Sequence, residues 1–158
     1  MFPYNVCAAT FGIAAGALEN YVARTRDQMA RSTGVKVADM PTIQLRVAES
    51  AAEIDCARVL LDRDIEEFNR LVRAGEDIPM DKRLVYRRNV AYAALLNKRA
   101  LDRIMAVTGA HGLFDDNPMQ LAARDMQAAL AQIALAWDVH GVAYGRSAFG
   151  LDPLDPWL

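Results

Sequence analysis

Four runs of about 27–34 residues, each with apolar side chains every third or fourth position, dominate this 158-residue chain. That spacing puts the apolar residues on one face of a helix, and no strand-like alternation interrupts it, so the chain reads as all-α. The first run, about 5–31, aligns Val6, Ala9, Ile13, Ala17 and Tyr21, with Gly34 as its stop. The second, about 41–74, opens on Pro41 and stops at Gly75. Its stripe is Ile43, Val47, Ala51, Ile54, Leu61, Ile65, Phe68 and Val72. The third, about 80–108, lies between Pro79 and Gly109, with Tyr86, Val90, Ala93, Asn97, Leu101 and Ile104 on one face. The fourth, about 118–145, follows the capping segment Asp115-Asp116-Asn117. It aligns Met119, Ala122, Met126, Leu130, Ile133, Trp137, His140 and Tyr144. Two prolines in the tail, 146–158, keep it out of the helix.

Helices of this length extend about 40–50 Å at 1.5 Å per residue. The connectors are short, so consecutive helices run antiparallel. The expected architecture is one domain, an up-down-up-down four-helix bundle. Residues 90–96 (VAYAALL) are apolar all round the third helix. In a bundle of four, that predicts a contact with another subunit.

The net charge of −2, from 18 basic and 20 acidic residues, lacks the basic excess of a nucleic-acid or anionic-membrane binder. Residues 1–18 are uncharged, but Pro3, Asn5, Thr10, Gly12 and Gly16 dilute the stretch and Glu19 and Arg24 close it. It reads as a buried helix, not a targeting or membrane segment. Cys7 and Cys56 form no C-x-x-C pair and read as reduced thiols in the cytoplasm, Cys56 as a buried one.

Bundle metal sites need Glu-x-x-His, and neither His111 nor His140 has a Glu three residues before it, so no metal is expected. His140 reads as a satisfied core histidine. No nucleophile elbow, P-loop or dinucleotide fingerprint is present. The basic residues of the third helix (Lys82, Arg83, Arg87, Arg88, Lys98, Arg99, Arg103) read as a solvated face with ion pairs such as Arg99–Asp102. Asp55 with Arg58, and Arg124 with Asp125, read as inter-helix ion pairs that fix register, with ligand anchoring as the alternative.

The motifs occur in a telling order: ALENYVARTRDQ, PTIQLRVAESAAEIDCARVLLDRD, GAHGLFDDNPMQLAARDMQAALAQIALAWD and YGRSAFGLDP. Their combination of G-x-x-G, N-P-x-Q, R-D and the YGR…GLDP ending resembles the C-terminal helical domain of the acyl-CoA dehydrogenase-like flavoprotein superfamily. The likeness is strongest to the branch of reduced-flavin-dependent monooxygenases, the oxygenase components of two-component hydroxylases. It covers nearly the whole chain. In that superfamily an N-terminal helical domain and a middle β-domain precede the bundle, and this chain shows neither. The expectation is therefore one domain of a larger enzyme, inactive by itself.

The resemblance implies reduced flavin (FMN or FAD) held against the bundle, and a small aromatic or heterocyclic substrate. It also implies a homo-oligomer, dimer or tetramer, and a separate flavin reductase. Arg26, or Arg24, stands where relatives place a diphosphate-binding arginine, although Asp27-Gln28-Met29 lacks their Phe-Gly. Gln44, Asn117 and Arg124 match further cofactor-side positions. Gln127 and Gln132 stand where monooxygenase relatives often carry histidines. Glutamine donates and accepts hydrogen bonds but does not titrate near neutral pH, so these residues are expected to position, not to transfer protons. Dehydrogenase relatives place a catalytic Glu in the region that here reads AQIAL. A dehydrogenase reading would need a displaced base, Glu49 or Glu53. A non-catalytic helical oligomerisation domain is the other alternative.

Overall fold

The computed structural model describes residues 2–155, with only the backbone of Phe2. Five helices follow in order: α1 (Phe2–Thr25), α2 (Pro41–Ala74), α3 (Met80–Thr108), α4 (Pro118–Leu130) and α5 (Trp137–Ala148). Short 3-10 turns sit at Val37–Asp39, Ala110–Leu113 and Ile133–Leu135. The class is all-α, and the described residues form no strand beyond one isolated bridge between Met29 and Lys36.

Helix α3 is the axle, packed against α1, α2, α4 and α5. Val90, Ala91, Ala93, Ala94, Leu96, Ala100, Leu101 and Ile104 are all buried. Most of 90–96 is thus covered by the chain's own helices, because small alanines let several neighbours approach one helix, while Tyr92 stays 37% exposed. At one end of the bundle Ala14, Ala17, Tyr21, Ile54, Leu101, Ile104, Met119 and Met126 form a core, and a second centres on Cys7, Ala57, Leu61, Val90 and Leu135. Helix α1 is long and apolar enough to cross a membrane by composition, and its Cys7–Thr10–Ala14–Ala17–Tyr21 stripe is buried within the bundle.

Two expected helices are shorter than their periodicity. The first ends at Thr25, not near Arg31. Beyond it the chain doubles back: Ala30 N–H donates to Val35 O (2.8 Å) and Val37 N–H to Gln28 O (2.9 Å). Gly34, at φ +66°, makes this turn instead of capping a helix.

The fourth expected helix, 118–145, breaks at residues 131–136. Gln132 and Ala136 are extended around the Ile133–Leu135 turn. No Gly or Pro marks the break, so its cause is tertiary. An unbroken helix would keep Ile133 and Trp137 on the core stripe. The break instead buries Leu135 (3% exposed) and leaves Ile133 63% and Trp137 37% exposed.

Three further expectations are corrected. Cys56 is exposed, while Cys7 is buried. Asp55 is exposed, and Arg58 pairs with Asp62 of its own helix (3.5 Å). Asp102 pairs with Lys98, and Arg99 reaches across to Glu53 (3.2 Å). Among the described residues, the ion pairs that do tie helices together join Glu49 and Glu53 of α2 to Arg99 and Arg103 of α3, and Glu67 of α2 to Lys82 of α3 (2.6 Å).

Candidate functional site

The C-terminal end of α1 gathers most of the expected cofactor residues. Tyr21 and Arg24 on the last turns of α1, Gln28 beyond it, Thr108 at the end of α3, His111 and Asn117 frame a hollow of about 470 Å³. An adjoining hollow of about 230 Å³ is lined by Tyr21, Arg26, Ile43 and Gln44. Arg24 is thus brought together with Asn117, and Arg26 with Gln44.

Tyr21 borders both hollows and is only 4% exposed, with the Thr25 hydroxyl one turn on as the neighbour of its own hydroxyl. Burial raises its pKa, partly offset by the nearby Thr25 hydroxyl and Arg46 guanidinium. It therefore stays a neutral phenol with a proton to donate. Arg24 and Arg26 are exposed and form no ion pair among the described residues. The donor set is two guanidinium groups and a phenol, with no carboxylate lining either hollow. It fits the phosphate end of a flavin nucleotide.

The other two residues of this group are partly committed elsewhere. Asn117 Oδ1 accepts from Met119 N–H (3.0 Å), capping α4, and its Nδ2 donates to His111 O (2.7 Å). Gln44 Nε2 donates to Ala38 O (3.0 Å). Both amides hold the walls of the hollows.

Arg124, Gln127 and Gln132 lie elsewhere. Helix α4 begins at the larger hollow, and Arg124 and Gln127 sit about 10 and 15 Å along it. They are three residues apart and share an exposed face. Gln132 lies past the end of α4, also exposed. The same strip carries Leu121, 52% exposed, and Ile133. It is an open surface that alternates amide and guanidinium groups with apolar ones. Asp125 is likewise exposed, so Arg124 and Asp125 tie no helices together.

Glu49 and Glu53 face guanidinium groups. Arg103 meets Glu49 at 3.1 Å and Glu53 at 2.7 Å, and these contacts raise the arginine's pKa. Both carboxylates belong to the α2–α3 seam, which leaves neither placed as a free base.

His140 is a core histidine, 6% exposed, and its Nε2 donates to Ile133 O (3.1 Å). Ile133 O also accepts from Ala136 N–H (3.1 Å), so the imidazole adds a second bond at the break before α5. Its Nδ1 lies 3.9 Å from Asp155 Oδ2, which also takes Arg87 at 2.8 Å. Burial, aided by Arg87, holds the His140 pKa below its ordinary 6.5. The unfolded chain therefore binds a proton that the folded chain resists, and stability falls as pH drops below about 6.5. Going from about pH 7.5 to about pH 5.5, wild type should lose more unfolding free energy than His140→Gln, whose amide can still donate to Ile133. Denaturant titrations at both pH values measure the difference. Equal losses would remove His140 from the acid response.

Periodicity places Tyr21 on a core stripe and says nothing of the hollows beside it. Gln28 and His111 lie in connectors, and only the packing of three chain segments makes them neighbours of Arg24.

Comparison with known proteins matches residues 4–137 to the family described as acyl-CoA dehydrogenase, C-terminal domain. The oxygenase component of an FADH(2)-dependent resorcinol hydroxylase from Rhizobium sp. (strain MTP-10005) is 36% identical over 157 residues, covering 93% of this chain and 38% of that protein. The crystal structure of 3-HSA hydroxylase from Rhodococcus sp. RHA1 superposes with a TM-score of 0.88 at 30% identity, over 99% of this chain and 41% of that one. XiaF from Streptomyces sp., solved with FADH2 and glycerol, gives 0.89 at 26% identity, over 96% and 38%. The chain thus spans about two fifths of the length of these relatives.

Proposed function

We propose, for a chain that belongs to the acyl-CoA dehydrogenase C-terminal domain family, that the bundle forms one wall of a reduced-flavin site. The site is that of an oxygenase component acting on a small aromatic or heterocyclic substrate. The observation that carries this reading is that Arg24 and Arg26, which form no ion pair among the described residues, line adjoining hollows that hold no carboxylate. The names of the relatives support flavin and an aromatic substrate.

Bound reduced flavin supplies the electrons for activating dioxygen. The chain's own residues bind and orient. Arg24 and Arg26, one per hollow, neutralise two phosphates, which favours FAD over FMN. Tyr21 donates a neutral hydrogen bond at the same end. Arg124, Gln127 and Gln132 present donors and acceptors along the α4 strip, where the rings would stand. None of the three is suited to taking up a proton near pH 7. Any proton transfer in that reading comes from groups outside this strip. A separate flavin reductase and a homo-oligomeric bundle are the expected partners.

Anaerobic titration of the chain with reduced FAD tests the reading. Binding should weaken at least about tenfold in the Arg24→Ala/Arg26→Ala double variant, because charge-assisted phosphate bonds contribute about 1.5–3 kcal/mol each. Tyr21→Phe should weaken it several-fold and leave the fold intact. No saturable binding up to about 1 mM, or binding indifferent to all three substitutions, overturns the proposal. It would leave the second reading, a helical assembly domain, which the exposed apolar face of α5 favours.

A further inference from the structure

Independently of the flavin reading, we propose that the groove between α2, α3 and the start of α5 is a binding site for a small aromatic carboxylate. Arg88, Tyr92 and Leu96 follow one another at four-residue spacing, so they form one ridge on α3. Leu60 of α2 and Trp137, the first residue of α5, complete the walls of a groove of about 430 Å³. That volume lies in the range of small-molecule sites. The groove is separate from the flavin hollows, since Leu96 and Thr108 stand about 18 Å apart along α3.

The aromatic walls are already set. The Tyr92 and Trp137 ring centroids lie 5.1 Å apart, and both residues remain 37% exposed. A Cβ at Gly141 would come within 3.1 Å of the indole, so the glycine lets that ring lie against α5. A flat ring entering the groove meets apolar faces that need little ordering.

Charge selects the ligand. Of the described residues that line the groove, Arg88 alone is charged. Its Nε and Nη2 donate to Asn89 Oδ1 at 2.9 and 2.6 Å, and its guanidinium lies 4.1 Å from the centre of the Tyr144 ring. Both partners are neutral. The neighbouring cations Arg63, Lys82 and Arg87 each meet a carboxylate, whereas Arg88 forms no ion pair among the described residues. A cation held in place by neutral groups beside an aromatic groove is complementary to an aryl ring that carries one carboxylate.

Cys56 lines the same groove and is exposed, while Cys7 is buried, so alkylation reports whether the groove is filled. Iodoacetamide should label Cys56 and spare Cys7, read by peptide mass mapping. By titration calorimetry 2-naphthoate should bind one per chain with a Kd of about 1 mM or tighter, and at saturation should slow labelling at least about threefold. 2-Naphthamide, with the same rings and no charge, should bind at least about fivefold more weakly. Arg88→Met should abolish that difference and leave naphthamide binding unchanged, which separates lost charge from lost folding. Trp137→Leu should weaken both ligands. No saturable binding below about 5 mM overturns the proposal, as does equal affinity of wild type for acid and amide. So does labelling of Cys56 that naphthoate does not slow. Cys56 that resists labelling in the free chain means that a second copy covers the groove, which also overturns it. Binding lost in Arg124→Gln and kept in Arg88→Met would place the ligand on the α4 strip instead, with the same consequence.

Discussion

Asn89→Leu should lower the unfolding free energy by about 2–3 kcal/mol, because it removes the shorter hydrogen bond to Oδ2 of the buried Asp64 carboxylate. The Asp64 side chain is 1% exposed. Its Oδ2 accepts from Asn89 Nδ2 at 2.7 Å and, more distantly, from the Tyr4 hydroxyl at 3.4 Å. Its Oδ1 takes Arg63 at 2.9 Å, but Arg63 is 60% exposed and its contribution is screened by water. The Asn89 carbonyl oxygen in turn accepts two bonds from Arg88, at 2.9 and 2.6 Å. Leucine fills much of the same volume and offers neither group. The carboxylate is left with one long partner at Oδ2, and the guanidinium loses its acceptor.

In the Asp64→Asn background no charge is buried, so the same substitution should cost about 1–2 kcal/mol less. Urea midpoints of the two single variants and the double variant give this coupling. A cost below about 1 kcal/mol for Asn89→Leu would mean that water reaches Asp64 and the charge is not held by Asn89.

Ile104→Ala should cost about 3–4 kcal/mol, and Ile133→Ala less than about 0.5 kcal/mol. Ile104 is 1% exposed, at the meeting of α1, α3 and α4. Truncation there loses the transfer free energy of the removed carbons and leaves a cavity that rigid helices fill poorly. Ile133 is 63% exposed on the turn before α5. Truncating it exposes little and opens nothing. Thermal or urea unfolding of the two variants checks the contrast. Similar costs would mean that α4 and α5 form one continuous helix with Ile133 facing the core.

That contrast shows where periodicity stops being informative. Ile104 and Ile133 both fall on three-four stripes, and the stripe places one correctly. Through α2 and α3 the pattern agrees with the burial of Ile54, Leu61, Val90, Leu101 and Ile104, because an uninterrupted helix keeps its phase. Past Leu130 the phase is reset by Leu135 entering the core and His140 taking the Ile133 carbonyl. Neither interaction is local enough to leave a mark such as Gly or Pro. The end of α1 shows the same limit, since bonds between Gln28 and Val37 outcompete continued helix there.

The candidate site divides along the same line. Arg24, Arg26, Gln44 and Asn117 could be named only through the family resemblance of their motifs. Their pairing in two hollows around Tyr21 required α1, α2, α3 and α4 to converge at one end of the bundle.

The local sequence alone determined that the chain is all-α, the extents of α2 and α3 and where Gly75 ends the first of them. Turn chemistry and the 3.6-residue period act within a few residues. Tertiary structure decided that the chain's own helices cover most of the apolar surface of α3, that the fourth run splits and that Tyr21 borders two hollows. Burial and the walls of a hollow belong to the assembled surface, where residues far apart in the chain compete for the same space.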